Sequence, residues 1–207
     1  SALDIHSSRD NGTGLRSDVA PGTYYVQLFK KHNGTLRQLS QKEAFEVTRL
    51  RQNVLTNPEA ASHLAYKTKL NKLYVEAEIM NKKLEKTKKK IAALSKAIGF
   101  AQENQDALYK TVFSLQKEQH ALARRINGSD AKGEVGEKDT PTLSFRMSVA
   151  SRGFYSNTYG PTSMQMESYD MAVALLNTLS PQVDALAAAT AKAIQSSESL
   201  GLPVIID

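Results

Sequence analysis

Residues that suit a helix core recur at alternating steps of three and four between Leu70 and Ile98. This stripe consists of Leu70, Leu73, Ala77, Met80, Leu84, Thr87, Ile91, Leu94 and Ile98. The spacing predicts one long amphipathic helix, which we expect to run from about Pro58 to Ile98. Because a stripe of this length has to be buried, the rest of the chain is expected to supply partner helices.

Two further segments have stripes that fit such partners. One carries Leu108, Val112, Leu115, Leu122 and Ile126 and ends at Asn127-Gly128, and the other carries Met166, Tyr169, Val173, Leu176, Val183, Ala187, Thr190 and Ile194. Since short connections favour antiparallel neighbours, the first two helices are predicted to form a hairpin. Thr162 and Gln165 form a capping box for the third helix, and Pro181 predicts a kink near Thr178 or Leu179.

The ends of the first helix also have sequence signals. Thr56 and Glu59 form a capping box at its start, and Gly99 is expected to take the left-handed C′ position at its end. Residues 129–140 are polar and contain glycine, which predicts a loop. The signals in 141–153 conflict between strand and helix, and we favour a short helix. The apolar residues 201–206 are expected to be extended and to dock on the bundle.

The first 50 residues have a different pattern. Residues 1–22 are rich in Ser, Gly, Asn and Asp and predict loop or linker. A β-prone run over 23–30, a type I′ turn at Asn33-Gly34 and a return over 35–39 predict a hairpin, and a further strand is predicted over 44–50. Because so few strands are marginally stable alone, we expect them to be the tail of an immunoglobulin-like or fibronectin-like sandwich, or to lie against the helices.

The predicted fold is therefore α+β and mainly α. Residues 51–207 are expected to form an antiparallel bundle of three long helices plus one short helix, and residues 1–50 a small antiparallel β unit. No apolar run approaches the roughly 20 residues that cross a bilayer. The chain has no cysteine, which excludes disulfides and thiolate chemistry.

Positive charge is unevenly distributed along the chain. The net charge is +6 overall, with fourteen Lys and Arg against seven Asp and Glu in residues 59–127. Lys82, Lys86, Lys89 and Lys90 share one helix face, along which an anionic glycan or a phosphate backbone fits. The alternative is a solvated outer face. Because this run has no arginine fork and no interleaved aromatic residue, it does not favour nucleic acid.

Aromatic residues are concentrated in the segment from Phe154 to Gly160. Phe154, Tyr155 and Tyr159 are candidates for a ligand or partner surface that stacks on sugar rings, and the alternative is a lid packed over the bundle. No constellation supports catalysis: the four histidines lack metal-ligand spacing, and neither S-x-x-K sequence has its companion motifs. We therefore expect no catalytic residue, no metal and no cofactor within this chain.

The order of parts after residue 20 resembles a known family. The residues that carry the resemblance are Ala20-Pro21-Gly22-Thr23-Tyr24-Tyr25-Val26-Gln27-Leu28, Phe45-Glu46-Val47 and the helical hairpin that begins near Pro58. They look like the C-terminal region of bacterial BNR/Asp-box repeat proteins, which are related to sortilin-type β-propellers and often labelled glycosyl hydrolases. In that family a similar strand closes a sandwich module and a helical bundle follows. The chain has no tryptophan and therefore no Asp box, so the resemblance assigns it no catalytic residue.

The resemblance implies a non-catalytic C-terminal accessory or interaction region of a larger extracytoplasmic protein, one that acts on carbohydrate. Its expected partners are the upstream domains of that protein and, through open β edges, a second copy of the chain. Neither a membrane span nor nucleic-acid binding is expected. Two alternatives stay open: an anion-binding module that uses the Lys82–Lys90 face, and an enzyme with an unrecognised site.

Overall fold

The computed structural model describes residues 21–48, 60–101, 105–129, 134, 141–156 and 159–205. The chain divides into two units, Ser1–Pro58 and Glu59–Asp207. The predicted domain boundary after residue 50 lies outside the described residues. The same is true of the predicted capping box at Thr56 and of nearly all of the predicted loop at 129–140.

The first unit contains an antiparallel β ribbon. Its strands are β1 (Gly22–Val26), β2 (Phe29–His32), β3 (Thr35–Gln38) and β4 (Glu43–Val47), with β1 paired to β4 and β2 paired to β3. The predicted turn between β2 and β3 is confirmed, because Asn33 and Gly34 both have positive φ, 47° and 80°. Such angles match the right-handed twist of the two strands that the turn connects.

The single strand predicted over 23–30 is divided in two by a break in the ladder. Between the pairs Val26–Glu43 and Phe29–Gln38, two residues on one side face four on the other, so the regular pairing stops. Ser40 fills this gap: its Oγ accepts a hydrogen bond from the Leu28 amide at 2.9 Å and donates one to the Gln41 carbonyl at 2.9 Å. The Leu28 carbonyl still accepts a backbone hydrogen bond from the Leu39 amide at 2.8 Å, so the Ser40 side chain satisfies the Leu28 amide where the ladder is interrupted.

The described residues of the second unit form three long helices and one short helix, which confirms the predicted bundle. The helices are α1 (Ala60–Gly99), α2 (Asp106–Asn127), α3 (Leu143–Ser151) and α4 (Ser163–Ser199), and a 3-10 turn (Phe154–Ser156) follows α3. The ambiguous segment 141–153 is helical. Thr142 caps it by accepting a hydrogen bond from the Phe145 amide at 3.1 Å, and its buried residues have helical spacing.

The stripe predicted for α1 is confirmed. Leu70, Leu84 and Leu94 are completely buried, and of the nine stripe residues only Ile98 retains intermediate exposure. The role predicted for Gly99 is wrong, because this residue is the last of the helix and does not have positive φ. The helix ends instead by tightening, with hydrogen bonds from the Phe100 amide to Ala97 and from the Ala101 amide to Ile98.

The stripe predicted for α4 is partly wrong. Leu176, Val183 and Thr190 are buried as predicted, but Met166 is exposed and Tyr169 is half-buried. The buried seam is Gln165, Ser168, Ala172, Leu176, Leu179, Val183, Leu186, Thr190, Ala193 and Ser197. Small and hydroxyl-bearing side chains occupy much of this seam. A choice by hydrophobicity alone therefore selects the next residue in the sequence at several turns of the helix.

The capping box predicted for α4 is confirmed, with the Gln165 amide donating to Thr162 Oγ1 and the Thr162 amide donating to Gln165 Oε1. The helix runs on through Pro181, where the kink stays a prediction. After the helix, Ser197 Oγ donates to the Leu202 carbonyl at 2.9 Å, and Val204 packs against the core. The predicted docking of the C-terminal segment is therefore confirmed as far as Val204.

The two shorter helices, α2 and α3, both pack against α1, at different parts of its length. At about 1.5 Å per residue α1 is about 60 Å long and α2 only about 33 Å, so α2 cannot cover it alone. The end of α2 meets the start of α3 through a hydrogen bond from Ser144 Oγ to Asn127 Oδ1 at 3.0 Å. From there α3 continues to the N-terminal part of α1, where Tyr74 hydrogen-bonds to Ser151.

Candidate functional site

Aromatic side chains fill the end of the bundle where α1 and α4 begin and α3 ends. Phe154 is completely buried there. The His63 ring stacks on Phe154 with 4.3 Å between the ring centroids, and the rings of Tyr66 and Tyr155 meet it edge-on at 4.9 Å and 5.6 Å. Edge-on and stacked contacts of this kind add to the free energy gained by burying the rings. The 3-10 turn is thereby fixed to α1.

The Tyr66 hydroxyl connects three elements at the same place. It lies 3.0 Å from the carbonyl of Ala150 in α3 and 2.9 Å from the carbonyl of Gln165 in α4, and its one proton bonds to either carbonyl. The Gln165 side chain adds a hydrogen bond from Nε2 to the Arg152 carbonyl at 2.9 Å. These bonds hold the start of α4 against α1 and the residues that follow α3. We call His63, Tyr66, Phe154, Tyr155 and Gln165 the end cluster.

Burial changes the acidity of the phenols in and beside the end cluster. It raises the pKa of Tyr66 to about 12, with smaller contributions in the same direction from Tyr169 and Asp170. Burial is also the main cause that raises the pKa of Tyr155 and of Tyr169. The hydroxyl of Tyr155 is buried, and no described residue forms a hydrogen bond with it. The phenols therefore stay neutral in the folded chain over the physiological range.

The raised pKa of Tyr66 predicts that the free energy of unfolding falls at high pH. Below about pH 10 the phenol of Tyr66 is protonated in both states; above it the unfolded chain loses this proton first, so the stabilisation is lost as the pH rises from about 10 to about 12. We expect the thermal midpoint of the native chain to fall more steeply in this range than that of Tyr66→Phe, whatever their difference at pH 7. Parallel curves for the two proteins would contradict the expected contribution of Tyr66.

The structure places the three predicted aromatic surface residues in different environments. Phe154 is in the core and presents no surface, because α1 and the 3-10 turn enclose its ring. Tyr155 is half-buried beside it, and Tyr159 is exposed. The three residues thus form no common aromatic face. Extending the stripe of α1 by one turn from Leu70 toward the N-terminus identifies Tyr66 as a buried residue. No pattern in the sequence indicates that Phe154 packs against it.

The four predicted lysines lie on the exposed face of α1, opposite its buried stripe. Lys82 pairs with Glu78, with 3.3 Å between Nζ and the carboxylate oxygen. The neighbouring Lys83 pairs with Asp184 of α4. Among the described residues, Lys86, Lys89 and Lys90 have no ion-pair partner. On this exposed face the side chains of Glu78, Asn81, Lys82, Glu85, Lys86 and Lys89 border an open depression that α1 alone forms.

The ribbon of the first unit has one apolar face between β1 and β4. Tyr24 and Phe45 are opposite each other, with 6.0 Å between their ring centroids, and Val26 lies on the same side by alternation. Val26 is 58% exposed and Phe45 is 47% exposed. On the other side Lys42 Nζ lies 4.5 Å from the centroid of the Tyr25 ring. Glu43 is opposite Val26 on the same side, at the end of the paired strands. We call Tyr24, Val26, Phe45 and Val47 the apolar face of the ribbon.

Metal-ligand clusters and membrane-spanning helices are both absent from the residues that the structure describes. Within them no three His, Asp or Glu side chains come together as metal ligands. None of the described helices is both long and apolar enough to cross a bilayer. His63 is part of the end cluster, and His32 and His120 are exposed on different elements.

Comparisons with protein-family models, with curated proteins and with solved structures gave no match to this chain.

Proposed function

We propose that this chain is a non-catalytic accessory and interaction region of a larger extracytoplasmic protein. The resemblance of its β run to BNR/Asp-box proteins is the basis for the location and for a parent that acts on carbohydrate. The observation that carries the interaction role is the apolar face of the ribbon. An antiparallel sheet is usually apolar on the side that packs against the core and polar on the side that meets water. In this ribbon the apolar face is accompanied by one polar residue, Glu43, and the opposite side carries Thr23 and Glu46.

The partner that we propose for the apolar face is a second β layer from the same protein. Tyr24, Val26 and Phe45 have the side chains that pack between two face-to-face sheets. Two paired strands are marginally stable in water, so completion by further strands also supplies stability that the ribbon lacks. The helical unit has its own core and does not need this contact to fold.

Thiol labelling tests this proposal cleanly, because the chain has no cysteine. Val26→Cys is made both in this chain and in the product of the complete reading frame, and the labelling rates of the two proteins are compared. We expect rapid labelling in the isolated chain and slow labelling in the longer product. The matched control is Tyr25→Cys, on the opposite face, which should be labelled rapidly in both.

Two results would overturn the proposed role. One is a reading frame that encodes only these 207 residues, since it leaves no second layer to contribute. The other is equally rapid labelling of Val26→Cys in both proteins, because that shows an apolar face still open to solvent in the complete protein.

A further inference from the structure

The lysine row on α1 is unusual because its charges are so close together. Lys82, Lys86 and Lys90 are four residues apart, which places successive ammonium groups on adjacent turns. Like charges at this spacing repel each other, and among the described residues an ion pair relieves only Lys82, through Glu78. An added anion that spans Lys86, Lys89 and Lys90 would therefore remove a repulsion as well as form new contacts.

The face of α1 that carries this row has acceptors as well as cations, because Glu78 and Glu85 lie among the lysines. From Glu78 to Lys89 this face extends for about 16 Å along the helix axis, which suits an extended ligand rather than a single ion. Carboxylate oxygens accept hydrogen bonds from hydroxyl groups and repel phosphate.

We propose that this face of α1 binds an acidic polysaccharide, a polymer that has both carboxylates and hydroxyl groups. The lysines pair with its carboxylates, and Glu78 and Glu85 accept hydrogen bonds from its hydroxyls. A DNA backbone has phosphates but no hydroxyl donors, so the two glutamates oppose it. The α1 sequence also has no arginine for bidentate contacts to phosphate. This proposal does not depend on the role proposed for the ribbon.

Binding of polygalacturonate at low ionic strength tests the lysine part. The variant Lys86→Gln/Lys89→Gln/Lys90→Gln is compared with Lys110→Gln/Lys117→Gln/Lys192→Gln, which removes the same charge from exposed positions on α2 and α4. We expect the first variant to lose about tenfold or more in affinity and the control to lose about twofold or less. Equal losses in the two variants, or no binding by the native chain, would overturn the proposal.

A second variant separates the polysaccharide from other polyanions. Glu78→Ala/Glu85→Ala makes this face of α1 more positive, so attraction by charge alone predicts tighter binding of every polyanion. We expect it to bind polygalacturonate more weakly and duplex DNA more tightly. Tighter binding of both probes, or native binding of DNA that equals that of polygalacturonate, would overturn the assignment to a hydroxyl-bearing polymer. Thermal midpoints at or above the native value confirm that the lysine variants are folded.

Discussion

Replacing Phe154 with alanine is expected to lower the free energy of unfolding by about 3–5 kcal/mol, the range typical of a large aromatic side chain removed from a core. Phe154 is completely buried and contacts the rings of His63, Tyr66 and Tyr155. Truncation leaves a cavity and removes all three ring contacts. Chemical denaturation followed by circular dichroism measures the change.

Two companion variants keep this prediction testable even if Phe154→Ala does not fold. Phe154→Leu retains most of the volume and should cost about 1–3 kcal/mol, which leaves a measurable transition. Phe145→Ala removes the same side chain from α3, where it is 50% exposed, and should cost about 1 kcal/mol or less. Similar losses for Phe154→Ala and Phe145→Ala would contradict the placement of Phe154 in the core.

Replacing Leu186 with alanine is expected to cost about 2–5 kcal/mol. Leu186 is completely buried in the seam of α4, whereas the predicted stripe has its neighbour Ala187 at this turn, which is only half-buried. The matched control is Leu64→Ala on α1, where the side chain is 43% exposed and the expected loss is about 0.5 kcal/mol. A smaller loss at Leu186 than at Leu64 would show that the helix is rotated away from the seam described.

The parts of the fold that the sequence predicts are those in which hydrophobicity alone decides burial. Every buried position of the α1 stripe except Thr87 has an apolar side chain, so the helical period of this stripe can be recognised from the sequence. The hairpin turn is equally direct, since Asn-Gly suits two successive residues with positive φ. The capping box at Thr162 is local as well, because both partners lie within one turn.

The seam of α4 is not predictable in the same way. Thr190 is completely buried because its hydroxyl donates to the Leu186 carbonyl at 2.8 Å, which satisfies the polar group within the helix. The buried hydroxyl of Ser197 is also satisfied, by a hydrogen bond to the Leu202 carbonyl after the end of the helix. The predicted stripe contains Thr190, which has the right spacing, but it leaves out Ser197 and instead contains flanking residues such as Tyr169, which is only half-buried.

The candidate sites also differ in how far the sequence alone predicts them. Helical spacing is enough to place Lys82, Lys86 and Lys89 on one face, but the pair between Lys82 and Glu78 depends on side-chain conformations that spacing does not determine. The burial of Phe154 depends on where the 3-10 turn meets α1, nearly 90 residues earlier in the sequence. Only tertiary structure distinguishes this core residue from an exposed aromatic ligand.

The role proposed for the ribbon requires that the ribbon depend on a second β layer, whereas the helical unit has its own core. Amide hydrogen exchange on the dilute, isolated chain tests it most directly. We expect amides near Leu84, Leu122 and Leu186 to exchange only through global unfolding, and those of β1 and β4 to exchange about 10³-fold faster or more, through local opening. Ribbon amides as slow as those of the helix core would contradict the proposed role, because they would show that the ribbon is stable without a partner.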